Sequence, residues 1–141
     1  MRQAVLLIDD DPDMDPVVHE ALRGAAPSAA LLTARTGTEG AQVLQETLAG
    51  AAYDVAVVIL DLVLPDRPGL EVLMNLRAIA ASKTVPVVVM TRSQQETDVW
   101  LSYKAGANAY VVKPSSREEF VACYQEVLHF WCTLNTRASA H

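Results

Sequence analysis

Five side chains in this 141-residue sequence stand where reactive groups would be useful: Asp9, Asp10, Asp61, Thr91 and Lys113. Each directly follows an apolar run. Ala4–Ile8 ends on Asp9 and Asp10, Val55–Leu60 on Asp61, Val85–Met90 on Thr91, and Asn108–Val112 on Lys113. If the runs are neighbouring strands of one parallel sheet, all five groups meet at its carboxyl edge, the usual place for a ligand crevice. Three carboxylates gathered there repel one another; at ~4 Å and an effective dielectric of about 20, each close pair costs about 4 kcal/mol. Protonation or cations would relieve this. Lys113 supplies one positive charge and a divalent metal two, which together cancel the three aspartates. Oxygen-only ligands and a site partly open to water suit Mg²⁺. Such a set supports phosphoryl transfer onto Asp61. The carboxylate is the nucleophile, the cations neutralise charge on the transferring group, and the Thr91 hydroxyl binds a phosphoryl oxygen. None of the five is a strong acid or base near neutral pH, which speaks against hydrolysis of ordinary substrates. Taken alone, Asp61 reads equally well as a cap of the loop that follows it.

The elements that must position these groups alternate regularly. Val55–Leu60 is an unbroken apolar run, as expected of a strand buried on both faces, and Pro65, Pro68 and Gly69 break regular structure after Asp61. Helices are expected from about Asp13 to Arg23, from an N-cap at Thr38 to Ala49, from near Gly69, from Gln95 to Ala105 with Gly106 as its C′ glycine, and from Ser116 to Leu134. Ala29–Ala34 is a weak strand. Five strand–helix alternations imply an α/β fold, a parallel sheet with helices on both sides. Thr36-Gly37-Thr38 also resembles a phosphate-cradling loop of flavin-binding folds, although there it follows the first strand. Residues 1–135 read as one domain, with a small polar tail, 136–141, expected to fray.

Composition narrows the function classes. With 51% hydrophobic residues, the chain can bury roughly two thirds of its unfolded surface. A net charge of −6 speaks against a nucleic-acid surface, which needs a basic patch. No apolar segment approaches the ~20 residues that span a bilayer, and the N-terminus lacks a signal-peptide layout. Cys123 and Cys132, nine apart on one expected helix, would lie on opposite faces and stay unpaired, as in a reducing cytoplasm. His19, His129 and His141 show no metal-ligand spacing and read as solvated.

Four motifs carry a resemblance. Leu6-Leu7-Ile8-Asp9-Asp10-Asp11-Pro12, Leu60-Asp61-Leu62-x-Leu64-Pro65-Asp66-x-x-Gly69-Leu70-Glu71, Val89-Met90-Thr91 and Ala105-Gly106-Ala107-Asn108-Ala109-Tyr110-Val111-Val112-Lys113-Pro114 resemble, in order and spacing, the receiver domains of two-component response regulators. The resemblance covers nearly the whole chain. It implies a flavodoxin-like (βα)5 sandwich with strand order 2-1-3-4-5, and a phosphoacceptor switch that is no enzyme but assists its own Mg²⁺-dependent phosphorylation and dephosphorylation. It further implies that Asp61 accepts the phosphoryl group from a histidine kinase. Asp10, Asp61 and the Val63 backbone carbonyl would hold Mg²⁺, Asp9 a metal-bound water, and Lys113 the phosphoryl group. Thr91 and Tyr110 would form the switch pair, and the Lys113–Pro114 bond would be cis. Asp11 would replace Asp10 if the register slipped by one. Thr91-Arg92-Ser93 and Phe130-Trp131 resemble the stand-alone regulators paired with bacterial phytochromes, which implies a bacteriophytochrome kinase as partner.

Two positions depart from what receivers usually carry. Arg92 stands where a small residue is more common, and Val63 offers no polar group to an attacking water. A slowly lost phosphoryl group is the expected consequence. The last helix is apolar over more than one stripe, and Trp100 would face outward if Val99 and Tyr103 fill the inner stripe of the fourth helix. A homodimer through the fourth helix, fifth strand and fifth helix is expected. With no further domain after about residue 135, output would run through protein partners or onward transfer to a histidine. Two other classes stay open: a receiver-like binding module independent of phosphorylation, and an aspartyl-nucleophile phosphatase, which would want an acid at Val63.

Overall fold

In a computed structural model, which describes residues 1–79 and 82–138, the elements run β1 (Arg2–Ile8), α1 (Met14–Ala25), β2 (Ala30–Ala34), α2 (Gly37–Ala49), β3 (Tyr53–Leu60), α3 (Gly69–Ala78), β4 (Val87–Thr91), α4 (Glu96–Lys104), β5 (Ala109–Val112) and α5 (Arg117–His129). The strands pair in parallel in the order β2-β1-β3-β4-β5. Because side chains alternate across a strand, the sheet feeds two cores. Val5, Leu7, Val57, Ile59, Val88 and Met90 pack against α1 and α5. Leu6, Ile8, Val58, Leu60, Val87 and Val89 pack against residues of α2 and α3. Fully burying one such side chain contributes roughly 1.5–3 kcal/mol, so these runs hold the strands in register.

The order reverses between β1 and β3, and the backbone continues its hydrogen bonding past the strand ends. The amide of Asp61 donates to the carbonyl of Ile8 (3.0 Å), that of Asp9 to Ala34 (3.0 Å) and that of Lys113 to Thr91 (2.8 Å). The carboxyl rim is thus drawn together where the reactive groups stand.

Local signals account for some of the helix ends. Ser116 caps α5 by accepting from the Glu119 amide (3.2 Å). Gly106, at φ +109°, ends α4 in the conformation that glycine alone adopts freely. The expected cap at Thr38 is corrected. Thr36 caps α2 by accepting from the Glu39 amide (3.0 Å), whereas Thr38 donates to Asp66 (2.9 Å). Thr36-Gly37-Thr38 is therefore the N-terminus of α2, tied to the loop after β3.

The single last helix is corrected as well. After His129 the chain widens into a π-helical turn, Phe130–Leu134, closed by the Asn135 amide on Phe130 (2.7 Å). The wider turn frees the Cys132 carbonyl to accept from the Gln3 side chain (2.9 Å). It also brings Cys132 round to the α1/α5 core that Cys123 touches, so the two do not lie on opposite faces; both are free thiols. In the tail expected to fray, the Arg137 guanidinium reaches back to the Asp54 carboxylate and the Val55 carbonyl (2.6 Å), and residues 139–141 lie outside the described residues. The Lys113–Pro114 bond is trans, the isomer that X–Pro bonds ordinarily favour. His19 and His129 are exposed, as expected, and His141 lies outside the described residues. Among the described residues no helix is long and apolar enough to cross a membrane.

Candidate functional site

At the carboxyl rim the structure brings together every acidic residue singled out from the sequence. Carboxylate oxygens of Asp9, Asp10 and Asp61 lie within 4.8 Å of one another. Asp9 is 2% and Asp61 9% exposed, while Asp10 faces solvent. The Lys113 ammonium bridges the two buried ones, at 2.9 Å from Asp9 Oδ2 and 2.9 Å from Asp61 Oδ2. The other oxygen of each accepts a backbone amide: Asp11 onto Asp9 Oδ1 (2.9 Å) and Val63 onto Asp61 Oδ1 (3.0 Å). These bonds fix both carboxylates before any ligand arrives. Asp11 Oδ1 accepts the Asp13 amide (2.9 Å), so Asp11 serves the turn into α1, although it also lines the cleft.

The electrostatics agree with the geometry. Burial pushes the Asp9 carboxyl above its ordinary value, and the Asp11 amide and the Lys113 charge only partly offset this. Burial alone would pull Lys113 down. The combined pull of Asp9 and Asp61 outweighs it and holds the ammonium above its ordinary value. Lys113 therefore stays charged at any physiological pH, and the three carboxylates together still exceed it by two charges.

The cleft has a volume of about 290 Å³, with Asp10, Asp61, Val63, Thr91, Arg92 and Lys113 among its lining. Against the ~30 Å³ that each molecule occupies in liquid water, it has room for a cation, its waters and a tetrahedral anion. Thr91 is buried at the end of β4, next to this space. Tyr110 is not in its lining; its hydroxyl donates to the Ser93 carbonyl (2.9 Å). The donor set fits a hard divalent cation: oxygens only, one carboxylate exposed, and an excess of negative charge.

The loop that carries Val63 is clamped twice. The Gly69 amide donates to Leu62 (2.9 Å), and a Cβ at residue 69 would come within 2.3 Å of the Leu62 Cα. Asp66 accepts from the Gly37 amide (2.8 Å), the Thr38 amide (3.0 Å) and the Thr38 hydroxyl (2.9 Å) at the N-terminus of α2. These bonds, the Gly37 amide foremost, hold the Asp66 carboxyl at about 2. At the opposite, amino end of the sheet Arg77 braces the loops before β4 and β5 from α3, donating to the carbonyls of Gly106 (2.9 Å), Ser82 (2.9 Å) and Val85 (2.7 Å) and to Asn108 Oδ1 (2.6 Å). Sequence reasoning named Asp66 within a motif without assigning it a partner, and assigned Arg77 no role. An Asp beside Pro65 and a helical Arg are signals too common to name partners about 30 residues away.

A doubly wound parallel sheet whose switch point holds three carboxylates and a lysine is a receiver-type α/β protein. The chain belongs to the response regulator receiver domain family, whose description matches residues 5–125. It is similar to the response regulator Rcp1 of Synechocystis sp., 29% identical over 142 residues that span 98% of this chain and 95% of that protein. It is 35% identical over 122 residues to the DNA-binding response regulator MtrA of Mycolicibacterium smegmatis. That match takes in 86% of this chain but 49% of MtrA, about half its length. Among solved structures, the phosphorylated cyanobacterial phytochrome response regulator RcpA superposes with a TM-score of 0.87 at 27% identity, covering 99% of this chain and 100% of that one. The Mn²⁺-bound form of Rcp1 superposes at 0.84 with 29% identity, covering 96% and 99%.

Proposed function

We propose that this chain is a phosphorylation switch in which Asp61 accepts a phosphoryl group from a sensor histidine kinase. The observation that carries the proposal is the Lys113 ammonium, 2.9 Å from both Asp9 and Asp61, beside a third carboxylate in an open cleft. An Asp61 oxygen attacks phosphorus, the bond from phosphorus to the donor's imidazole nitrogen breaks, and a P–O bond to Asp61 forms. Lys113 neutralises charge on the incoming group, and the Thr91 hydroxyl holds one of its oxygens. Asp10, Asp61 and the Val63 carbonyl are the residues that would hold Mg²⁺, with Asp9 assisting through water. When bound, the metal supplies the positive charge that a phosphoryl group needs beside two further carboxylates.

The kinase is of the bacteriophytochrome type. The likeness to Rcp1 along nearly the full length of both chains, and to RcpA, supports this. The protein works in the cytoplasm, where Cys123 and Cys132 stay reduced. Output runs through protein partners or a homodimer of the α4, β5 and α5 faces, and the net charge of −6 favours proteins over nucleic acid. Trp100 is 61% exposed, and Val112, Phe130 and Leu134 are exposed as well, which supports that interface. Tyr103, expected in the inner stripe of α4, is outward too, because the short Ser102 fills that place and donates to the Asp98 carbonyl (2.7 Å). Sedimentation at tens of micromolar tests the dimer, and a monomer there would remove it.

Incubation with acetyl phosphate and Mg²⁺, followed by weighing the intact protein, tests the acceptor. One added phosphoryl group, absent from Asp61→Asn, is expected. No adduct would favour a phosphorylation-independent binding module, and turnover without accumulation a phosphatase.

A further inference from the structure

Among the described residues, Arg92 is the one basic group lining the cleft that the switch proposed above leaves unused. It lines the same space as Asp61, Thr91 and Lys113, one residue beyond the threonine. Three carboxylates lie across that space, yet among the described residues Arg92 pairs with no acid. Its guanidinium instead rests over the Phe120 ring at the start of α5, with Cζ 5.6 Å from the centroid. At an exposed residue such a cation–π contact is a weak hold.

Charge bookkeeping at the rim gives this position a purpose. Before phosphorylation the aspartates, Lys113 and a divalent cation sum to zero, so a second fixed cation has nothing to neutralise. Phosphorylation replaces the single charge of Asp61 with the nearly double charge of an acyl phosphate. The cleft then carries close to one uncompensated negative charge and three new acceptor oxygens. A planar guanidinium matches a phosphoryl group with paired donors, which an ammonium cannot do.

We infer that Arg92 is a phosphoryl ligand held in reserve on Phe120: it leaves the ring for the phosphoryl oxygens once Asp61 is modified, completing the charge balance and closing the open side of the cleft to water. Loss of the group requires water oxygen to attack phosphorus while the P–O bond to Asp61 breaks, releasing the carboxylate and inorganic phosphate. A guanidinium across that approach slows the step, which gives a physical origin for a long-lived phosphoryl group in this chain.

The inference rests on Asp61 being the acceptor, and one experiment separates the two. The full chain is phosphorylated with acetyl phosphate and Mg²⁺, freed of donor, and followed by intact mass in the wild type, Arg92→Ala, Arg92→Lys and Phe120→Leu. Arg92→Ala should lose the group about tenfold faster, the scale of one charge-assisted hydrogen bond in a partly open site. Arg92→Lys should fall between, and Phe120→Leu should match or exceed the wild-type lifetime. Titration calorimetry supplies a readout that damaged packing would not imitate. Affinity for beryllium trifluoride should drop by a similar factor in Arg92→Ala, while affinity for Mg²⁺ alone stays unchanged. An Arg92→Ala lifetime within twofold of wild type overturns the inference. So does a Phe120→Leu loss as fast as that of Arg92→Ala, which would place the effect in the stacked pair, or a parallel loss of Mg²⁺ affinity. A wild type that takes up no phosphoryl group overturns the acceptor assignment, and this inference with it.

Discussion

Replacing Lys113 by Met keeps most of the stem and removes the charge between Asp9 and Asp61. The ammonium sits 2.9 Å from each carboxylate, and its side chain is 7% exposed, so solvent cannot replace it in place. Without it, the two buried carboxylates face each other directly. At the 4.8 Å limit of their spacing, an effective dielectric of about 20 gives ~3 kcal/mol of repulsion, and breaking a buried pair from one side typically costs about 3–5 kcal/mol. Proton uptake by Asp9 relieves part, leaving ~2–4 kcal/mol at pH 7.5. With a urea slope of about 1–3 kcal/mol per molar, the midpoint in EDTA should fall by about 1–2 M.

The pH dependence has a definite sign. Asp9 in the folded protein already has a pKa above its ordinary 3.8. Losing Lys113 removes two of the influences that lower it, so the folded variant holds a proton more tightly than the unfolded chain. Its deficit should therefore shrink as the pH falls toward that raised pKa, and millimolar Mg²⁺ at pH 7.5 should shrink it as well. In the wild type, the raised pKa of Lys113 gives stability that is complete below its ordinary 10.5 and lost as pH rises through the folded value. A variant with the wild-type midpoint in EDTA would refute the electrostatic account. A deficit indifferent to both pH and Mg²⁺ would refute it too, by assigning the loss to packing.

Three further outcomes follow from particular contacts. Gly69→Ala forces a methyl against the Leu62 backbone, which cannot rotate aside; it should lose about 3 kcal/mol and weaken Mg²⁺ binding, and wild-type urea and Mg²⁺ titrations would contradict this. Tyr124→Phe removes a fully buried hydroxyl that has no partner among the described residues. It should raise stability by about 1 kcal/mol in the same urea assay, and a loss of that size would reveal a hidden partner. Asp66→Ala should lower the thermal midpoint. Because the folded pKa of Asp66 is about 2, below its ordinary 3.8, the gap from wild type should be full above pH 3.8 and close as pH falls toward 2; a gap independent of pH would contradict the capping role.

Much of this was legible because the sheet is buried on both faces. Val55–Leu60 can be little else than a central strand, and the strand that ends on Asp61 must deliver it to the rim. The same reasoning placed Asp9, Asp10, Thr91 and Lys113. What escaped depends on distance in sequence or on local choice. Thr36 and Thr38 are chemically equal as caps, and only Asp66, far along the chain, decides between them. The π-helical turn answers to Gln3 at the opposite end of the chain, and Arg137 finds its acceptors at the start of β3. Tyr124 lies in the apolar stretch of α5, and nothing in its neighbours in sequence betrays an unpartnered hydroxyl.

The fastenings of α5 have a mechanical corollary. One end is wedged beside the cleft by Phe120, while Gln3 and Arg137 rivet the segment beyond its other end to the far edge of the sheet. By contrast, α4 sinks only Ser102 into the interior. Any displacement started at Thr91 therefore meets a stiff beam on one side and a compliant one on the other. The signal should travel as a tilt of α4, with α5 as the fixed post against which that tilt is read.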